Sequence, residues 1–168
     1  MKQLPLINSR RTHIAIMRKS WGLTEKIMSG EKTIESRWYN QKKSPWNEIN
    51  RGDLIYFKDS GEPISLQAKV EKVLQFGELT PKKVKEILHR YGEKEGLDVG
   101  ELDQYYELFK TKRYCILIFL SEVKKVSPFE IEKKGFGTMT SWIAMDNIEK
   151  VKKIKLERFK QSKLLSKN

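Results

Sequence analysis

Residues 30–39 read GEKTIESRWY. Gly30 follows a short amphipathic segment, Leu23 to Ser29, and suits the left-handed position that ends a helix. The residues from Lys32 to Tyr39 alternate and include β-formers, which predicts a strand. Successive side chains of a strand point to opposite faces of the sheet. One face therefore carries Thr33, Glu35, Arg37 and Tyr39, and the other carries Ile34, Ser36 and Trp38.

Opposite charges beside aromatic rings on this strand indicate a binding site for a planar, anionic ligand. Glu35 and Arg37 are neighbours on one face, and Lys32, next to the turn, can lean toward them. Arginine binds a phosphate or a base edge through paired hydrogen bonds, and a carboxylate orients it. Tyr39 or Trp38 then offers a stacking surface to a base. The alternative is an ordinary surface salt bridge, worth about 0–1 kcal/mol.

The sequence on either side of this strand predicts a small sheet with helices. Further strands are predicted by alternating or apolar runs at residues 13–17, 54–57, 64–73, 114–120 and 141–143. Thr80-Pro81 is typical of a helix start, and a second helical spacing of apolar residues runs from Leu102 to Phe109. Pro128 is expected to break the strand pattern. The predicted fold class is α+β, a small mixed, mostly antiparallel β-barrel with flanking helices.

The excess positive charge lies at the two ends of the chain. The 168 residues carry a net charge of +12. Residues 1–20 hold five basic residues and no acid, and residues 150–168 hold eight basic residues and one acid, whereas the part between them is neutral. Such ends attract a polyanion, and the attraction weakens with salt. Basic ends that only aid solubility are the alternative.

Several classes of protein and site are excluded. No apolar run approaches the roughly 20 residues that cross a bilayer, and the N-terminus has no secretory signal, so we expect a cytoplasmic protein without a membrane partner. There is no phosphate-binding GxxxxGK[ST] loop and no GxGxxG fingerprint. Cys115 lies in an apolar run and is interpreted as a core residue. The histidines, His13 and His89, lack metal-site spacing, so we expect no metal and no cofactor.

The octet GEKTIESR resembles the G-x-K-x-x-E-x-R signature of the ASCH (activating signal cointegrator homology) domain, a branch of the PUA-like superfamily. The signature residues in this chain are Gly30, Lys32, Glu35 and Arg37. A short helix before the octet, an Arg-Gly-Asp turn ending at Asp53 and a helical insertion before the run at 114–120 also match the family pattern.

This resemblance covers roughly residues 13–125. It implies a PUA-like β-barrel with a cleft lined by the signature residues. The expected organisation is an ASCH/PUA-like domain at residues 1–150, followed by a basic C-terminal extension at residues 151–168.

The resemblance also implies a class of partner, because ASCH domains are mostly associated with RNA. Some small bacterial members look like amidohydrolases that remove the acetyl group of N4-acetylcytidine with a lysine, a threonine three residues later and a downstream glutamate. Carried over, the lysine is Lys32, and the downstream acid is Glu95 or, less well aligned, Glu93. This chain departs from the pattern at Glu35, which stands in the threonine position. Other members have been described as ribonucleases.

Charge favours binding over catalysis. A catalytic lysine must lose its proton, and a carboxylate as close as Glu35 favours the charged form of Lys32. Candidate catalytic residues are Lys32, Glu35 and Glu95. The predicted nucleic-acid-binding residues are Gly30, Lys32, Glu35, Arg37, Trp38, Tyr39, Trp46 and Trp142. Each aromatic residue among them has core packing as its alternative role.

Three functions therefore stay open at this point. A monomeric protein that binds RNA or another single-stranded nucleic acid is favoured. A hydrolase acting on nucleosides or RNA is the second, and a protein-interaction module that uses the basic tail is the third.

Overall fold

A mixed β-sheet with helices packed against it makes up the computed structural model, which describes residues 10–137 and 139–153. The strands are β1 (Thr12–Met17), β2 (Ile34–Tyr39), β3 (Leu54–Asp59), β4 (Ile64–Phe76), β5 (Tyr114–Phe129) and β6 (Trp142–Met145). The helices are α1 (Leu23–Ser29), α2 (Pro81–Tyr91) and α3 (Leu102–Phe109). Single 3-10 turns lie at Lys19–Trp21, Val99–Glu101 and Ile148–Lys150. Most of the basic extension, from residue 154 onward, lies outside the described residues.

The sheet is curled into a half-barrel. Its strand order is β2-β5-β4-β3-β1-β6; β1 and β3 are parallel, and the other neighbouring strands are antiparallel. The two edge strands approach each other, because Arg37 of β2 reaches the carbonyl of Ser141, which precedes β6, and the ring of Trp142. The predicted α+β class with a mostly antiparallel, barrel-like sheet is confirmed.

The first half of strand β5 is buried on both faces, which accounts for the continuous apolar run at residues 114–120. Ile116 and Ile118 point into the barrel interior, where they pack with residues of the other strands and of α1. Cys115 and Leu117 point outward into a second cluster, formed with α2 and α3. Burial raises the pKa of the Cys115 thiol well above its ordinary value, as expected of a core cysteine.

The expected break at Pro128 is wrong, because β5 continues to Phe129. Pairing with β4 is irregular here, with a register shift between the pairs Ile64–Phe129 and Leu66–Lys125. Pro128 falls inside that shift, where no regular ladder hydrogen bond requires its missing N–H.

The helix boundaries follow local signals. Gly30 ends α1 at a φ of 84° with its N–H bonded to the Ile27 carbonyl. Thr80 caps α2 by accepting a hydrogen bond from the Lys83 N–H, and Pro81 occupies the first turn. Strand β2 begins at Ile34 rather than at Lys32. Within the described residues, no helix is long and apolar enough to span a membrane.

Candidate functional site

A cleft of about 300 Å³ opens beside β2, between the strand and the turn that follows α2. Its lining brings together four largely buried acidic and basic side chains: Lys32, Glu35, Arg37 and Glu95. Exposure is 2% for the Lys32 side chain, 4% for Glu35 and 11% for Arg37, and it is 1% for Glu95. So many buried charges at the wall of one cleft are costly to fold, and such clusters concentrate at functional sites.

Glu35 lies between the two cations. Its Oε2 atom is 3.2 Å from the Lys32 Nζ, and its Oε1 accepts a hydrogen bond from the Arg37 Nε at 3.0 Å. The Lys32 ammonium also donates to the carbonyls of Ile34, at 2.6 Å, and Glu95, at 2.8 Å. Two of the three N–H bonds of the ammonium are therefore accepted by backbone carbonyls, and Glu35 adds a close ion pair that is not a well-formed hydrogen bond. Lys32 therefore ties β2 to the turn after α2.

Arg37 is held on three sides and still keeps donors for a ligand. Its Nη1 donates to the Ser141 carbonyl at 3.2 Å, and its Nη2 lies 3.4 Å from the Met17 sulfur. The guanidinium carbon sits 5.0 Å from the centre of the Trp142 ring. A guanidinium carries five N–H bonds, and these contacts together with the one to Glu35 use three of them.

A buried hydrogen-bonded chain fixes the Trp142 ring under Arg37. The indole N–H of Trp142 donates to the His13 Nδ1 at 3.1 Å. Nδ1 must therefore accept, so the ring proton is on Nε2, which donates to Asp53 at 3.0 Å. Burial lowers the pKa of His13, against the raising effect of Asp53, which agrees with a neutral ring. His13 thus serves the site by holding the Trp142 ring through these hydrogen bonds.

Glu95 reaches the cleft because the turn after α2 packs closely on β2. The N–H groups of Thr33 and Ile34 both donate to the Lys94 carbonyl. Gly96 has a φ of 79°, and a Cβ placed there would lie 3.1 Å from the Lys32 Cβ. A glycine at this position therefore permits both the turn and the close approach.

The Glu95 carboxylate lacks the partners expected of a buried charge. Among the described residues, neither of its oxygens has a hydrogen-bond partner of acceptable geometry. Burial raises the pKa of Glu95 above its ordinary value of 4.5, and the charge of Glu35 adds to the rise. The Ser36 hydroxyl and the Lys32 ammonium act in the opposite direction. An ionised carboxylate that is buried without hydrogen-bond partners lowers the stability of the fold.

We expect the Glu95→Gln variant to be more stable than the parent protein at pH 7. A raised folded-state pKa means that the folded protein binds the extra proton, so the parent loses stability as the pH rises from about 4.5 through that pKa. The variant lacks this loss, and its advantage should grow across the same interval. Urea unfolding at several pH values measures it. A variant less stable than the parent at every pH would contradict this account of Glu95.

The aromatic residues named from the sequence occupy different surroundings. Trp38 lines the cleft and stacks on Phe109 at 4.8 Å, nearly parallel. Tyr39 also lines it, with its hydroxyl donating to the Ser44 carbonyl. Trp142 is buried under Arg37. Trp46 is outside the cleft lining and packs edge-on against Tyr114.

Several residues of the site were not identifiable from sequence. Cleft residues of this kind are Trp21, Leu23, Leu97, Phe109 and Ser141. Ser141 is 104 positions from Arg37 along the chain, and it contributes only a carbonyl, which every residue possesses. Leu97 and Phe109 follow ordinary core patterns. No local signal separates them from packing residues.

Comparisons with solved structures show the same architecture. The chain is similar to the ASCH protein of Zymomonas mobilis, with a TM-score of 0.57 and 19% identity over 91% of this chain and 94% of that one. A tyrosine-to-phenylalanine variant of that protein gives 0.57 and 18%, over 92% and 99%. The N-terminal domain of McrB from Staphylothermus marinus gives 0.51 and 14%, over 89% and 91%. No family model matches the sequence, and no curated protein is significantly similar to it.

Proposed function

We propose that this chain, which has the ASCH-domain fold, binds single-stranded nucleic acid, and that RNA is its preferred partner. In this proposal the cleft takes in one unpaired nucleotide. The observation that carries the proposal is the meeting of Lys32, Glu35, Arg37 and Glu95 at an open, nucleotide-sized recess. An unpaired nucleotide supplies the planar base and the charge that these groups can bind.

The site offers contacts to the phosphate and to the base of a nucleotide. Arg37 has N–H bonds that its contacts with Glu35, Ser141 and Met17 do not use, and these suit a phosphate or a base acceptor. Arg18 is exposed at the cleft and lies 5.0 Å from the Trp21 ring, so it adds positive charge at the opening. Lys32 contributes its charge, since its own N–H bonds are directed at protein acceptors. The basic ends of the chain would add salt-dependent attraction.

Replacing Arg37 by alanine tests this site. We expect affinity for a short single-stranded RNA to fall by about 1–3 kcal/mol, roughly 5–150-fold, because the guanidinium contact is lost. Fluorescence anisotropy with a labelled oligonucleotide measures the change. The variant must be shown to be folded by circular dichroism, because Arg37 also pairs with buried Glu35.

Arg51→Ala is the matched control, since it removes the same charge from an exposed turn outside the cleft. It should change affinity far less than Arg37→Ala. Equal losses of affinity in the two variants would mean that the RNA is attracted by the net positive charge and is not bound in the cleft. If deletion of residues 156–168 abolished binding while Arg37→Ala had no effect, the binding site would be the basic tail, which also suits a protein-interaction module.

A hydrolase acting on nucleosides or RNA is the second candidate, and Glu95 is the observation that favours it. Its buried carboxyl group, with its raised pKa, has the character of a general acid or base. The surroundings of Lys32 oppose a nucleophilic role, because Glu35 and two carbonyls hold its ammonium. Turnover of N4-acetylcytidine or of single-stranded RNA by the purified protein, lost in Glu95→Gln, would establish catalysis. Absence of turnover on both substrates would exclude hydrolysis of N4-acetylcytidine and of single-stranded RNA.

A further inference from the structure

The carboxylate of Glu95 is unusual among the charged groups of the cleft. Glu35 has one oxygen without a well-formed hydrogen bond, but that oxygen lies 3.2 Å from the Lys32 ammonium. Glu95 is 1% exposed, and within the described residues neither of its oxygens has a well-formed hydrogen bond. A buried acceptor normally has a donor, and an unpaired one is expensive. A ligand that brings its own donors would remove this cost on binding.

Burial disfavours the ionised form of that carboxylate, and a ligand that brings hydrogen-bond donors to its oxygens would favour it. Two cations, Lys32 and Arg37, face two acids, Glu35 and Glu95, so the four groups are neutral together only when both acids are charged. An ionised carboxylate accepts hydrogen bonds at both oxygens and donates none. The complementary ligand therefore presents two N–H donors side by side.

The walls of the cleft are partly aromatic and apolar. Trp38 and Phe109 line it and stack on each other with only 6° between their planes, so a base would pack beside this pair and not between the two rings. Leu23 and Leu97 supply further apolar surface. A volume of about 300 Å³ is at the lower end for ligand pockets and matches one nucleotide rather than a longer segment.

We propose that the cleft selects guanine, because Glu95 pairs with the N1–H and the 2-amino group of its Watson–Crick edge. This inference rests on the proposed binding of single-stranded nucleic acid. Guanine has two adjacent donors on this edge, with the acceptor O6 beside them, and the unused N–H bonds of Arg37 offer donors to O6. Adenine and cytosine each present a ring nitrogen acceptor where the carboxylate needs a donor. Uracil presents a single N–H between two carbonyls.

A set of labelled oligouridine RNAs that differ at one central base tests the selection. The base is guanine, inosine, adenine, cytosine or uracil, and affinities are measured by anisotropy with the full chain. We expect guanine to bind at least tenfold more tightly than adenine, cytosine or uracil. Inosine keeps N1–H and lacks the 2-amino group, so it should lie about threefold to tenfold below guanine.

Glu95→Gln separates a binding role from a structural one. The amide has one acceptor and one donor group, so the preference for guanine over inosine should disappear, while the stability of the protein rises. Glu93→Gln is the matched control, because Glu93 is an exposed acid in the same turn. It should leave the base preference unchanged.

The outcomes are distinct. Equal affinity for all five RNAs, or a preference for adenine or cytosine, overturns the selection of guanine and leaves nucleic-acid binding intact. A guanine preference that survives Glu95→Gln overturns the role of Glu95. Failure to bind any of the RNAs, or their single-stranded DNA equivalents, overturns the proposed function and this inference with it.

Discussion

Replacing Glu35 by glutamine should lower the free energy of unfolding by about 3–5 kcal/mol, the cost of removing one partner from a buried ion cluster. Glutamine keeps the shape of the side chain and removes its charge. The Lys32 ammonium and the Arg37 guanidinium then face each other without the anion that lies between them. Both cations are almost fully buried, so water cannot replace it. Urea unfolding at pH 7 measures the loss.

Glu62→Gln is the control for this variant. Glu62 also pairs with a lysine, Lys19, but both side chains are largely exposed. Surface pairs contribute little, because solvent screens them, and we expect no measurable change. Similar small losses in both variants would show that the buried cluster does not stabilise the fold as its geometry indicates.

Replacing Lys32 by methionine should cost a comparable amount, about 3–5 kcal/mol, for a different reason. Methionine fills a similar volume and donates no hydrogen bonds. The carbonyls of Ile34 and Glu95 lose their donor, and Glu35 retains only Arg37. Each unsatisfied buried acceptor costs about 1–3 kcal/mol. Thermal and urea unfolding check the prediction.

Lys83→Met is the matched control, since Lys83 pairs with Glu86 on the exposed face of α2. Its stability should stay close to that of the parent. The double variant Lys32→Met, Glu35→Gln gives a further check. Its loss should be smaller than the two single losses added together, because the partners share one interaction. Full additivity would mean that the 3.2 Å contact between the two side chains contributes nothing.

The sequence alone determined the secondary structure around the site. The order of helix α1, Gly30 and strand β2 followed from an amphipathic segment, a residue that tolerates positive φ and an alternating run. The placement of Glu35 and Arg37 on one face followed from the two-residue period of a strand. The Thr80-Pro81 helix start and the buried, apolar first half of β5 were equally local. In each case, the cause lies within a few residues of the effect.

Only the tertiary structure decided which distant segments pack against strand β2 to form the cleft. Lys32 meets the Glu95 carbonyl across 63 positions, and Arg37 meets the Ser141 carbonyl across 104. The expected break at Pro128 failed for a similar reason, because a register shift between β4 and β5 removed the need for its N–H. Which distant segments meet depends on how the sheet curls and how its edges close. That curl minimises the free energy of the whole chain, so no short stretch of residues encodes it.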